Sequence, residues 1–350
     1  MGSNEPAIRV IGYAVIAAAL LVCPHVSHAD QGGGSFWFPG QFASLVAVQQ
    51  TPGWALSVNY YHSNVAAAGN VAAAREILIG RIPATVNVDL NLSLSGRADL
   101  VALTPSYTFA TPVLGGQFVV GLSGQFGRTA ASIAGTLTAT AGPIAVTRSG
   151  MLDGSLTSYG DLAPFAELFW NYGVNNYMAY LTGNIPAGDY DPLRLPNIGL
   201  GRGAIDAGGG YTYFDSAAGN EFSGVAGFTY NFTNPETQYR SGIDFHFDWG
   251  ASHFLTKQLF VGVAGYAYQQ LTDDSGQNPI LGGFRSRVFG VGPQIGYNFP
   301  VGDMQGFLGL RGYGEFGAVN RPSGWNTWLT FTISPSAPTA VTPAKHVVVK

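Results

Sequence analysis

The chain has 350 residues, of which only 10% are charged, with a formal net charge of −4, 49 glycines and 13% aromatic residues. About a quarter of an average soluble domain is charged, so an ordinary water-facing surface is excluded, and the scattered Lys and Arg residues exclude a basic face for nucleic acid. A helical membrane span needs about 18 to 20 consecutive apolar residues, and none follows the N-terminal stretch; a closed β-barrel is the other structure that satisfies its backbone in lipid.

In chain order, Arg9 precedes the apolar run from Val10 to Val22, a breaker at Pro24, and Ser27-His28-Ala29 before Asp30. A positive start, a short apolar stretch and a small-x-small site predict a secretory signal over residues 1–29, removed after Ala29. Cys23, the lone cysteine, reads as an ordinary signal residue rather than an acylation site, because Val22 stands where a small residue is expected and Pro24 follows. The predicted mature chain then holds no thiol, disulfide or cysteine-bound metal. Residues 30–53 open on glycines and the aromatic knot Phe36-Trp37-Phe38 before Pro39, followed by an apolar piece too short to span a bilayer. They are expected to fold into the lumen as a plug, the alternative being a loose periplasmic leader.

From Trp54 the chain reads as apolar-alternating segments of about ten residues, the pattern of an antiparallel, up-and-down transmembrane barrel over residues 54–334, with residues 335–350 as a tail. Phe222 to Phe232 places Phe222, Gly224, Ala226, Phe228, Tyr230 and Phe232 on one face, suited to lipid, and Ser223, Val225, Gly227, Thr229 and Asn231 on the other, since successive strand side chains point to opposite faces. In Ile243 to Trp249, the four apolar residues alternate with Asp244, His246 and Asp248. Segments near residues 54, 98, 117, 160, 176, 204, 221, 241, 258, 285, 305 and 324 predict about twelve strands. Short connections at Thr111 to Gly116, Tyr172 to Asn176, Asp215 to Asn220, Ser252 to Lys257 and Pro300 to Met304 would be periplasmic turns. Long ones at Asn64 to Gly96, Thr129 to Ser158 and Ala187 to Arg202 would face outward, leaving both termini in the periplasm. Tyr211, Tyr213, Tyr266, Tyr268 and Tyr297 are expected in the interfacial aromatic girdles.

The segments "GGGSFWFPGQFASLVA", "PGWALSVNYYH", "LTPSYTFATPVLGGQ", "GDLAPFAELFWN", "LTGNIPAGDYDPLRLPNIGLGRGAIDAGGGYTYFD" and "GIDFHFDWGASHFLTKQ" resemble the family named for the meta-pathway of phenol degradation, over about Gly32 to Ser334. The resemblance implies a bacterial outer-membrane barrel that takes up aromatic or other small hydrophobic compounds by passive diffusion. It carries over no set of functional residues. A general small-solute porin and a structural or surface-interaction barrel are the alternatives.

The expected lumen-lining residues are Glu167, Asp244, His246, Asp248, Arg311 and Glu315. The Asp244, His246 and Asp248 ladder, with neighbours about 7 Å apart, reads either as a binding or gating row or as lumen polar groups paired across the barrel, and it is too spread for one metal ion. Glu167, and Arg311 with Glu315 on the strand Gly306 to Gly317, suggest an Arg-carboxylate lattice across a narrow lumen, the alternative being structural pairing. Gly199-Leu200-Gly201-Arg202-Gly203 and Gly208-Gly209-Gly210 lack the strand-then-helix context of a phosphate loop and read as glycine that thins a strand or admits a plug. No G-x-S-x-G elbow or other catalytic motif occurs, so an enzyme is not expected. No cofactor is implied, the partners are outer-membrane lipid and a small hydrophobic or aromatic solute, and no pattern points to a particular oligomeric state.

Overall fold

A computed structural model of the chain describes residues 34–68, 89–141, 144–276 and 285–336. The signal expected over residues 1–29 and nearly all of the tail expected over residues 335–350 lie outside the described residues. No helix among them is long and apolar enough to cross a membrane.

Fourteen strands follow in order: β1 (Gly53–Ala68), β2 (Asp89–Thr108), β3 (Gln117–Ala141), β4 (Ile144–Tyr172), β5 (Asn175–Asn184), β6 (Ala204–Asp215), β7 (Asn220–Asn231), β8 (Tyr239–Arg240), β9 (Asp244–Phe254), β10 (Leu259–Gln270), β11 (Ser275–Gly276), β12 (Arg287–Val301), β13 (Met304–Val319) and β14 (Ser323–Pro335). Twelve of them close an antiparallel barrel in sequence order, with β1 sealing against both β2 and β14. The two-residue strands β8 and β11 pair with each other and tie two connections together. Closure leaves no strand edge unpaired, the condition that lipid imposes on a spanning sheet.

The even strand number brings the start of β1 and the end of β14 to one rim, called here the terminal rim. The connections there are short: 109–116, 173–174, 216–219, 255–258 and 302–303, where the alternation predicts turns. At the opposite rim, β5 and β6 are joined by residues 185–203, and β13 and β14 by residues 320–322 alone.

Alternation governs which face each residue takes. Along β7, the even-numbered residues from Phe222 to Tyr230 lie on the outer, more exposed face, whereas Glu221, Ser223, Val225, Gly227, Thr229 and Asn231 are buried. Along β9, Asp244, His246 and Asp248 are buried between half-exposed aromatic residues. Leu56, Leu103, Leu122, Leu181, Ile205, Phe228, Val263, Ile295, Leu310 and Leu329 are all exposed on the outer wall. In water such a belt would be unstable; against hydrocarbon it costs nothing to leave uncovered.

Two expectations are corrected. Thr129 to Ser158 is not a long loop: β3 and β4 stay paired from Gln117↔Phe169 to Ala141↔Ile144, with one irregularity between Gly124 and Phe126. At 25 and 29 residues, against the 9 to 11 or so that a tilted strand needs to cross a bilayer, this hairpin stands well beyond the membrane. Beyond hydrocarbon there is no lipid to demand large apolar residues on alternate positions, so the sequence there is rich in Ala, Ser, Thr and Gly and lacks a strong period. Likewise the stretch Asn64 to Gly96 is partly strand, because β1 runs to Ala68 and β2 begins at Asp89. The second correction concerns Tyr266 and Tyr268, which are buried at 2% and 3% exposure rather than placed in a girdle. They share the inner parity of β10 with Phe260 and Ala264, while Tyr213 and Tyr297 do face outward and are exposed.

Candidate functional site

Residues 34–52 run among the inward-facing side chains. Between Gly40 and Ala47 their backbone is held by β6, β7, β9 and β13, and the Ser44 side chain by β12. The Asp248 carboxylate accepts from Gly40 N at 2.9 Å and from Phe42 N at 3.2 Å. On the other side of the same peptides, Arg311 donates through Nε to Gly40 O at 3.1 Å and through Nη2 to Gln41 O at 2.7 Å, and the Tyr313 hydroxyl also donates to Gly40 O. Farther along, Glu221 accepts from Leu45 N, Thr212 Oγ1 accepts from Ala47 N, and Gln294 Nε2 donates to Ser44 Oγ. Near the terminal rim the segment crosses to β3 and β4, where Gln50 N donates to Gln117 Oε1 and Gln49 donates to Phe169 O. The segment is a run of turns with two backbone bonds of its own, Gln41 N to Phe38 O and Val48 N to Leu45 O, and charged and polar side chains on the wall satisfy further backbone groups.

Two glycines make the close approach possible. Gly40 has φ +81°, and a Cβ there would lie 2.8 Å from the Tyr266 ring and 2.9 Å from the Tyr313 ring. On the wall, a Cβ on Gly250 would meet Ser44 N at 2.6 Å and Ala43 C at 2.9 Å, so any side chain there would push the segment off β9.

Trp37, 2% exposed, stacks on His246 with ring centroids 3.6 Å apart and planes 13° from parallel. His246 Nε2 is 2.9 Å from Asp206 Oδ2, the Tyr180 hydroxyl donates to Asp206 Oδ1 at 2.8 Å, and Thr229 donates to Asp206 as well. Tyr180 can lie flat here because β6 and β7 carry glycine beneath it: a Cβ on Gly208 or Gly227 would fall on its hydroxyl. Gly208 and Gly210 thus open room for the neighbouring strand's side chains, whereas Gly199 to Gly203 belong to a connection rather than a strand. On the other side of the knot, Phe38 packs edge-on against Tyr61 at 5.5 Å and 80°. Phe36 and Pro39 complete the aromatic turn, with Phe36 beside the cavity.

A cavity of about 410 Å³ separates this segment from the opposite wall, formed by β1 to β5 and β14. One side is aromatic, from Phe36, Trp37, Phe38 and Phe42; the other is mostly neutral hydroxyl, amide and small apolar groups, among them Ser57, Asn59, Thr104, Ser123, Gln125 and Thr182. Glu167 also lines it, inward on β4 between Phe165 and Phe169. At the rim away from the termini the cavity meets the 185–203 connection through Ile198 and Leu200. Asp161, 4% exposed, folds that connection inward by accepting from Asn184 Nδ2, Gly188 N and Leu200 N at 2.7, 2.8 and 2.9 Å. Leu195 of the same connection is buried against Leu94 and Ile133 of the tall hairpins. Within it, Arg194 hydrogen-bonds Asp189 at 2.8 Å, which holds the Asp189 carboxyl below its ordinary range.

The six lumen candidates all face inward, and the five other than Glu167 engage different partners. Asp244 accepts from Asn231, His246 pairs with Asp206, and Asp248 and Arg311 hold the N-terminal segment. Glu315 accepts from the Tyr266 hydroxyl and Gly324 N. Among the described residues Arg311 makes no ion pair with Glu167 or Glu315 and instead holds carbonyls of the N-terminal segment. No group of three metal-ligating side chains converges among the described residues. Sequence reasoning missed Asp161, Tyr180, Asp206, Thr212 and Glu221. The parity of Asp206 between Ile205 and Ala207, and of Glu221 beside Phe222, carries the signal that would have placed them inside.

The family model described as "Putative MetA-pathway of phenol degradation" matches residues 82–331. Among solved structures, the COG4313 outer membrane channel from Pseudomonas putida F1 is similar at 13% identity and a TM-score of 0.56, covering 89% of this chain and 99% of that one. A Pseudomonas aeruginosa FadL homologue aligns at 12% identity and a TM-score of 0.38, covering 89% and 98%. No curated protein matches the chain.

Proposed function

The chain belongs to the family described as Putative MetA-pathway of phenol degradation, and from that premise we propose that it is an outer-membrane channel for passive uptake of aromatic or other small hydrophobic compounds. The observation that carries this reading is the cavity of about 410 Å³ between an aromatic knot and a neutral polar wall. A ring-sized solute fits easily, as an apolar cavity of about 150 Å³ already holds benzene. Such a solute would find apolar faces to stack on and hydroxyls to meet a polar substituent, whereas a sugar would have to exchange most of its hydration for a wall that is half aromatic.

In this reading residues 1–29 direct export and are removed, residues 30–53 form a plug that narrows the lumen to the cavity, and the terminal rim faces the periplasm. The inward-folded 185–203 connection covers the outer mouth. No residue suggests an energy source, so solute moves down its gradient.

Uptake into liposomes holding the reconstituted protein tests the proposal with toluene, phenol, benzoate and glucose. Faster entry of the aromatic solutes than of glucose is expected. Equal entry of all four would favour a general pore, and no entry above that of empty liposomes would refute a transport role.

A further inference from the structure

Among the described residues that line the cavity, Glu167 is the carboxylate with no hydrogen-bond or ion-pair partner. Its strand neighbours across the ladder are Val119 and Tyr180 and its environment is the cluster of Trp37, Val119, Phe169 and Tyr180. The other acid at the cavity, Asp161, is filled by three donors from its own surroundings. No Lys or Arg is among the described lining residues. The inward guanidiniums bond elsewhere, Arg311 to carbonyls of Gly40 and Gln41 and Arg202 through Nε to Asn231 and Nη2 to Gly34 O.

Glu167 is half-buried, with its carboxyl opening on the cavity rather than on any internal partner, and such a group among aromatic side chains is available to a donor that enters from outside the chain. From this placement we propose that Glu167 is the recognition group of the cavity, selecting an aromatic solute that carries a hydrogen-bond donor, an amino group foremost and a hydroxyl next, over an aromatic carboxylate. The ring lies against Phe38, Phe42 and Phe165, and the donor points at Glu167. An anionic substituent in the same pose would face Glu167 and find no lining cation to replace its water, so the same residue that draws one class repels the other. Within the channel reading above, on which this rests, Glu167 sets which aromatic compounds are held.

Benzylamine, benzyl alcohol, toluene and benzoate share one ring and differ in the group that would meet Glu167. Binding to the purified, folded full chain in detergent is read from tryptophan emission, since Trp37 and Trp328 both line the cavity. Benzylamine should bind about tenfold more tightly than benzoate, the size of one hydrogen bond to a charged group. Glu167→Gln, which keeps shape and removes charge, should abolish that preference and leave toluene unchanged. Equal binding of amine and carboxylate by the parent, or an unchanged preference in Glu167→Gln, would overturn the proposal. Flux of the same four solutes into liposomes separates the two claims. Ordered binding without flux would sink the channel and keep the site; flux without any order would sink the site and keep the channel.

Discussion

Replacing Asp248 by Asn tests how the N-terminal segment is held. The two carboxylate oxygens accept from Gly40 N and Phe42 N at 2.9 and 3.2 Å. In Asn one oxygen remains and the other becomes an amide NH2 aimed at a backbone N–H, so one bond is lost and the survivor no longer involves a charge. With about 1.5–3 kcal/mol for a hydrogen bond to a charged group and about 1 for a neutral one, the net loss is about 3 kcal/mol, or about 150-fold in the released fraction. Arg311→Gln removes a second grip on the same peptides, and because both side chains hold Gly40 the pair should cost less than the sum of the singles. Ala47→Cys in a Cys23→Ser background reports release, because Ala47 is fully buried and its backbone is bonded to Thr212. Maleimide labelling should be slow in the parent, faster in Asp248→Asn and fastest in the double variant, with single-channel conductance rising in the same order. Unchanged labelling in a double variant that still migrates as a folded barrel would refute the assignment of Asp248 and Arg311 as the segment's clamp.

Gly250→Ala places a methyl within 2.6 Å of Ser44 N; displacement of the segment should cost about 1–3 kcal/mol in thermal unfolding, with Ala47→Cys labelling accelerated. Asp161→Ala removes three hydrogen bonds from the 185–203 connection and should loosen it by about 2–4 kcal/mol, read as new trypsin cleavage at Arg194. The Asp189–Arg194 pair makes a pH prediction. Arg194 lowers the Asp189 pKa in the folded chain, so its contribution is fully present above the ordinary carboxylate range and is lost as pH falls through the depressed folded value. Amide-hydrogen exchange of residues 189–194, corrected for its intrinsic pH dependence, should therefore show protection that is flat through neutral pH and weakens only in acid, and Asp189→Asn should remove that acid step. On the outer wall, Leu310→Lys puts a charge into hydrocarbon at a cost of about 2–4 kcal/mol near the midplane, measured by folding into lipid vesicles; Ser57→Lys, on the inner face, should fold with close to the parent's yield.

Where lipid and lumen impose opposite demands, the sequence is legible residue by residue. Phe228 against Thr229, or Phe247 against Asp248, could hardly be reversed without placing a hydroxyl or a charge in hydrocarbon. That contrast locates all twelve barrel strands and the inward parity of Glu167, Asp244, His246, Asp248, Arg311 and Glu315. It fades above the membrane, where Thr129 to Ser158 continues as paired strand, and it is ambiguous where tyrosine suits either face, as at Tyr266 and Tyr268. Partners are a different matter. Asp206 meets His246 from two strands away, and Asp248 meets Gly40 across 208 positions of chain. Such pairings depend on barrel closure and on how residues 34–52 lie, which no local pattern encodes.

Between Gly40 and Ala47 every hydrogen bond from the barrel to the segment comes from β6, β7, β9, β12 and β13, while the hydroxyls of Ser57, Thr104 and Thr182 across the gap bond only within the wall. Substitutions on that bare side can redraw the passage without unfastening what stands in it. Within the proposed channel, the side chains that would meet a solute and those that fasten the segment then form separate sets, and one set can change while the other is kept.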